Sequence, residues 1–230
     1  MSGQETTVPV VTIDGPGGSG KGTIAMRLAE RLGWHFLDSG ALYRLVAVAA
    51  MDRGIEPKAE SELGRLAAGL DVHFGTSEDG MVVLLDGNYI TGRLRSEAVS
   101  AFSSRVATLP SVRAALVSRQ RAFRKAPGLV ADGRDMGTVI FPDATVKIFL
   151  TASAEARAKR RYKQLKEKGE SVNLSRLSED IEKRDEQDRT RAVAPLRPAD
   201  DALVIDSTEM SIEEVLSTIQ ILIEESSISL

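Results

Sequence analysis

The run Gly15-Pro16-Gly17-Gly18-Ser19-Gly20-Lys21-Gly22-Thr23, directly after the apolar stretch from Val8 to Asp14, constrains the fold more than any other feature of the chain. Glycines let a backbone curl so that several N–H groups converge on an anion, and a helix opening at Lys21 adds the positive end of its dipole. Lys21 has the reach and charge to hold the outer phosphates of a nucleoside triphosphate. The spacing satisfies G-x-x-x-x-G-K, but Gly22 stands where the general motif carries Ser or Thr, and the hydroxyl arrives one position later, at Thr23. Strand before and helix after supply the context that such a loop requires.

Composition removes several classes of protein. A chain of 230 residues, 42% hydrophobic and 27% charged, can bury a substantial core and is expected to form one soluble domain with a small insert. Cysteine is absent, which excludes disulfides and thiolate metal sites and fits a reducing cytoplasm. The polar N-terminus lacks the pattern of a secretory signal, and no apolar run reaches the ~18 residues needed to span a bilayer. A net charge of −3 gives no footprint for nucleic acid, so positive charge must act locally. His35 and His73 lack partners at ligand spacing and read as structural.

Apolar periodicity sets the order of elements. The first strand passes through the glycine loop into a helix with Ile24, Leu28 and Leu32 four apart, ended by Gly33. His35-Phe36-Leu37 is a short strand, and Asp38-Ser39-Gly40 opens a helix closed by Gly54. This β-α-β-α order predicts a parallel sheet. Three strand-like runs then follow, at Asp71–Phe74, Met81–Leu85 and Asn88–Ile90, separated by turn residues 76–80 and Asp86-Gly87, so an antiparallel insert is expected over roughly 63–101. A helix is expected from Val112 to about Lys125, and buried strands at Gly128–Ala131 and Val146–Leu150. Two charged helices at about Ala154–Lys168 and Leu174–Thr190, a strand at Ala202–Ile205 and an amphipathic helix from Ile212 to about Ile223 complete the chain.

Charged residues cluster where ligands collect on such a sheet. Asp132-Gly133-Arg134-Asp135 falls at the carboxyl end of a strand, where a carboxylate can orient Mg²⁺ and its waters and an arginine can hold a second phosphate. Arg157, Arg160 and Arg161 share one turn of helix, and Arg184, Arg189 and Arg191 accompany Asp185 and Asp188. Both groups suit a lid that excludes water during phosphoryl transfer and stabilises the spreading charge. Ser39 and Arg44 could face an incoming acceptor.

With these motifs assembled, the chain resembles the bacterial cytidylate kinases, a branch of the P-loop nucleoside monophosphate kinases with which the Gly-Lys-Gly-Thr form is associated. The resemblance runs from about Val8 to Ile223 and rests on the loop, on Leu37–Arg44, Ala131–Val139, Arg184–Arg189 and Arg191–Leu196. It implies an α/β P-loop kinase fold, with a central parallel sheet flanked by helices, a small antiparallel-β monophosphate-binding insert and a short helical lid. The core domain would be 1–62 and 102–230, with the lid at about 155–190, and the insert 63–101. It implies also that Ser104, Arg113 and Asp135 recognise cytosine, that Arg44, Arg134 and Arg191 hold the CMP phosphate, and that Ser39, Arg184 and Asp188 contact its ribose or phosphate. Lys21 and the backbone of Gly15, Pro16, Gly17, Gly18, Ser19, Gly20, Gly22 and Thr23 would cradle the ATP phosphates, with Arg157 and Asp206-Ser207-Thr208 near the adenine. Thr23 and Asp132 would act on Mg²⁺, partly through water. Lys21, Asp132, Arg134, Arg157, Arg184 and Arg191 are the expected catalytic set. Gly17 departs from the family's Ser or Ala, which should alter loop flexibility more than chemistry.

The expected reaction is in-line transfer of the γ-phosphoryl group of ATP to CMP or dCMP, with no covalent intermediate, in a cytoplasmic monomer without nucleic-acid or membrane partners. Two alternatives remain at this stage, a P-loop kinase for another small acceptor such as UMP or shikimate, and a nucleotide-operated switch.

Overall fold

The computed structural model describes residues 7–77, 80–167, 169 and 171–226. They fall into two compact units, one made of Met1–Leu37 with Phe123–Leu230 and the other of Asp38–Ala122. Residues 78, 79, 168 and 170, within the expected turn and the end of the first charged helix, lie outside the described residues.

The first unit is built on β1 (Val10–Asp14), β2 (His35–Asp38), β6 (Leu129–Gly133), β7 (Val146–Thr151) and β8 (Leu203–Asp206), hydrogen-bonded in the order β2-β6-β1-β7-β8. β1 runs parallel to both β6 and β7, and β7 parallel to β8. All residues of β1 and β6 are buried, the near-continuous apolar strand expected when helices cover both faces of a parallel sheet. Helix α1 (Lys21–Leu32) turns Ile24, Ala25, Leu28 and Ala29 inward and stops at Gly33, whose φ of 64° is left-handed. Helix α8 (Ile212–Glu225) begins in a reciprocal capping box between Ser211 and Glu214 and adds Val215, Leu216, Ile219 and Ile223 to the same core. Helices α6 (Ala154–Glu167) and α7 (Leu174–Thr190), the two charged helices expected, pack against each other.

The second unit holds α2 (Ser39–Asp52), α3 (Glu60–Ala68), a three-stranded antiparallel sheet of β3 (Val72–Ser77), β4 (Gly80–Leu85) and β5 (Asn88–Tyr89), then α4 (Glu97–Val106) and α5 (Pro110–Arg121). Asp86 and Gly87 turn β4 into β5 with φ of 49° and 76°, the paired positive angles of a type I′ hairpin. Two of these helices were not expected. α3 buries Leu63, Leu66 and Ala67 at helical spacing, and Ser111 donates its hydroxyl to the Glu60 carbonyl at 2.9 Å, fastening α3 to α5. α4 starts where the Ser96 hydroxyl accepts the Val99 N–H. α5 ends at Arg121, four residues before the expected Lys125, its last turn closed by hydrogen bonds from Ala122.

Candidate active site

The glycine loop leaves β1 at the carboxyl edge of the sheet, and each of its unusual residues has a local cause. Gly15 has a φ of 154°, and a Cβ there would lie 2.0 Å from the Leu150 carbonyl oxygen of β7. Gly18 and Gly20, with φ of 79° and 92°, complete a backbone that side-chain-bearing residues rarely adopt. Lys21 opens α1 with its side chain buried; Nζ donates to the Pro16 carbonyl at 3.2 Å and lies 3.9 Å from Asp132 Oδ1. A Cβ at Gly22 would come within 3.0 Å of Asp132 Oδ2. A side chain after the lysine would thus press on the carboxylate that β6 brings to the loop. Thr23 is exposed on the first turn of α1.

Asp132 reaches this place through strand register, since Ile13 pairs with Asp132 and Asp14 with Gly133. The segment beyond β6 is then held by a residue that sequence reasoning missed. Asp14 is buried, and its two oxygens accept the N–H groups of Met136 and Gly137 at 2.9 and 2.8 Å. Burial pushes its carboxyl up to about 7; the Gly137 and Met136 N–H groups oppose this, and the Asp135 and Asp132 charges add to it. A single acidic residue at a strand end carries no spacing signal, so only its place before Gly15 could have flagged it.

Beside this edge lies a network of guanidinium and carboxylate groups. Arg134 Nε donates to Asp188 Oδ2 at 2.9 Å, Arg191 Nη1 is 4.0 Å from Asp188 Oδ1, and Arg191 Nη2 is 3.9 Å from Asp135 Oδ1. Burial favours the neutral form of Asp188, but the Arg134 charge and hydrogen bond, with Arg184 and Arg191 beyond, outweigh it and hold the carboxyl below its ordinary range. Arg191 also donates to the Ala194 carbonyl, and Leu196 N–H returns to the Asp188 carbonyl, so the chain after α7 folds back over the network. Three arginines thus surround two carboxylates, leaving the network with a net positive charge.

On α6, Arg157 is buried and bound to protein groups, donating to the carbonyls of Ala152 and Gly17 and to both oxygens of Asp185. Arg160 donates to the carbonyls of Ser19 and Ser207, and the Ser207 hydroxyl bonds Thr151 and Ser19 carbonyls. Ser207 is thus bonded directly to the glycine loop.

Within the second unit, Asp38 caps α2 by accepting the Ala41 N–H at 2.9 Å and pairs with Arg44 at 2.7 Å, so Arg44 is held on the carboxylate of the residue before Ser39. Ser104 on α4 donates its hydroxyl to the Ser100 carbonyl. Arg113 on α5 is buried, bonded to the Ala107 carbonyl at 3.2 Å, and stands 5.9 Å from the centre of the Tyr43 ring. Neither histidine enters these groups, His35 being bonded to the Ala126 carbonyl and His73 lying beside Asp71.

A phosphate-cradling loop leaving the central strand, with lysine and carboxylate meeting at its mouth, defines a P-loop kinase. The family model for cytidylate kinase matches residues 11–225. The chain is 63% identical to the cytidylate kinase of Stutzerimonas stutzeri over 92% of its own length and 93% of the relative's. It is 59% identical to that of Photobacterium profundum over 91% and 92%. The protein belongs to the cytidylate kinase family. Among solved structures, shikimate kinase from Acinetobacter baumannii in complex with shikimate aligns over 97% of each chain at 18% identity, with a TM-score of 0.43, a likeness too low to bear on the acceptor.

Proposed function

We propose that the protein transfers the γ-phosphoryl group of ATP to CMP and dCMP, forming CDP, dCDP and ADP. The observation that carries this reading is the meeting of Lys21, Gly22 and Asp132 at the phosphate loop, in a chain of the cytidylate kinase family. A phosphate oxygen of CMP attacks the γ-phosphorus in line, forming one O–P bond as the bond to the β,γ-bridging oxygen breaks, and ADP leaves. The acceptor phosphate is substantially ionised near neutrality, so no general base is needed.

Lys21 and the loop amides of Gly15–Thr23 hold the donor phosphates, with residues 206–208 near the adenine and Arg157 acting on the donor through the loop to which it is bonded. Arg44, Arg134 and Arg191 hold the CMP phosphate, and Ser39, Arg184 and Asp188 contact its ribose or phosphate. Ser104, Arg113 and Asp135 read cytosine, whose mixed donor and acceptor edge leaves a buried group unpaired when a different base is offered. The helices within 155–190 act as the water-excluding lid, and 63–101 as the monophosphate-binding insert. Asp132 and Thr23, both hard oxygen donors, would hold Mg²⁺, partly through water, and the ion would supply charge neutralisation to the donor phosphates. We place the enzyme in the cytoplasm as a monomer; among the described residues no helix is long and apolar enough to cross a membrane.

Lys21→Ala should abolish turnover while leaving the thermal transition close to wild type, and Arg113→Ala should raise the CMP dissociation constant at least tenfold, roughly the value of a charged hydrogen bond. Wild-type turnover in the first, or wild-type CMP affinity in the second, contradicts the corresponding assignment.

A further inference from the structure

The carbonyl of one residue and the N–H of the next point to opposite sides of a trans peptide. In the phosphate loop the Gly17 carbonyl accepts Arg157 Nη1 at 3.1 Å, and the Ser19 carbonyl accepts Arg160 Nη1 at 3.2 Å and the Ser207 hydroxyl at 3.3 Å. The N–H groups of Gly18 and Gly20 are therefore aimed away from these arginines. A Cβ built at Gly18 would lie 3.3 Å from the Cβ of Arg157, so α6 lies directly against the loop. Arg157 is fixed in turn by a two-pronged pair with Asp185 of α7, at 3.0 and 2.5 Å, with the two side chains 5% and 9% exposed. A buried ion pair offers little net stability over apolar packing, because both charges lose their water; what it supplies here is direction.

We propose that Arg157 and Arg160 brace the phosphate loop from behind, and that Asp185 is a positioning residue whose hold on Arg157 ties the donor-binding amides to α7. The brace keeps the loop amides aimed before the nucleotide arrives, so its loss falls on the triphosphate donor and not on the acceptor. This inference deepens the donor-site reading and rests on it.

The test is to measure dissociation constants for Mg·ATP and for CMP separately, along with KM values and thermal transitions, in Asp185→Asn and Arg160→Gln. Each variant is expected to weaken ATP roughly tenfold, as loss of a charged hydrogen bond does, while CMP changes less than twofold. Asp185→Glu, which keeps the charge, should recover part of the ATP affinity. Unchanged ATP affinity in folded Asp185→Asn overturns the role of Asp185, and the same result in Arg160→Gln overturns the brace. Equal weakening of both nucleotides overturns it as well, since that is general damage. Arg160 is partly exposed, so its variant decides the matter if Asp185→Asn does not fold. Lys21→Ala separates the two levels: retained turnover there removes the donor site itself, whereas lost turnover with normal ATP binding in the brace variants removes only the brace.

Discussion

Gly17 and Gly22 sit in the same loop yet meet different surroundings. A Cβ at Gly17 would rest 3.6 Å from Arg134 Nη2, an ordinary contact, whereas one at Gly22 would press on Asp132 at 3.0 Å. Gly17→Ala should therefore stabilise the protein by about 0.4–1 kcal/mol in a denaturant titration, by restricting the unfolded chain. Gly22→Ser restores the general motif, and it should still lower kcat, by ~10- to ~100-fold, because it moves the carboxylate beside Lys21; a kcat within twofold of wild type would contradict this account of Gly22. Asp14 carries a prediction of another kind. Its folded pKa, raised from 3.8 to about 7, means that its contribution to stability is complete below the unfolded value and is lost as pH rises through about 7. Asp14→Asn has no such titration, so the stability advantage of wild type over the variant should shrink between about pH 5 and about pH 8. A pH-independent difference would show that the buried carboxyl does not titrate in this window.

At the scale of elements, α8 shows how one amphipathic stripe is spent. Ile219 is fully buried in the sheet-facing core, while Ile221 is 55% exposed. Ile219→Ala should cost about 2–5 kcal/mol and Ile221→Ala no more than about 0.5 kcal/mol by urea unfolding. Comparable losses would mean that α8 is rotated from its described face. Strand and helix alternation in the first unit was legible because fully buried strands and one-sided helices leave opposite apolar patterns, as β1 and α1 do. α3 and α4 were harder to read. Their apolar residues are few, and both border strand-like runs whose shorter period dominated the reading of 63–101. The Leu63, Leu66, Ala67 and Leu70 spacing was nonetheless present and marks a helix in retrospect.

For the whole molecule, parallel pairing does what no local motif can. Register between β1 and β6 carries Asp132 to Lys21 across 111 positions of sequence. The glycine loop revealed the strand–loop–helix turn unaided, and the charged clusters at 132–135 and 184–191 supplied side chains that the structure brings together. What the sequence hid were Asp14 and the Gly17 carbonyl, an isolated residue and a backbone atom, and the pairing of Asp185 with Arg157, uses that appear only when distant segments meet. The central claim concerns the acceptor, and a coupled assay with Mg·ATP and a panel of CMP, dCMP, UMP, AMP and shikimate tests it most directly. The account predicts the highest kcat/KM for CMP and dCMP, and a clear preference for any non-cytidine acceptor would contradict it.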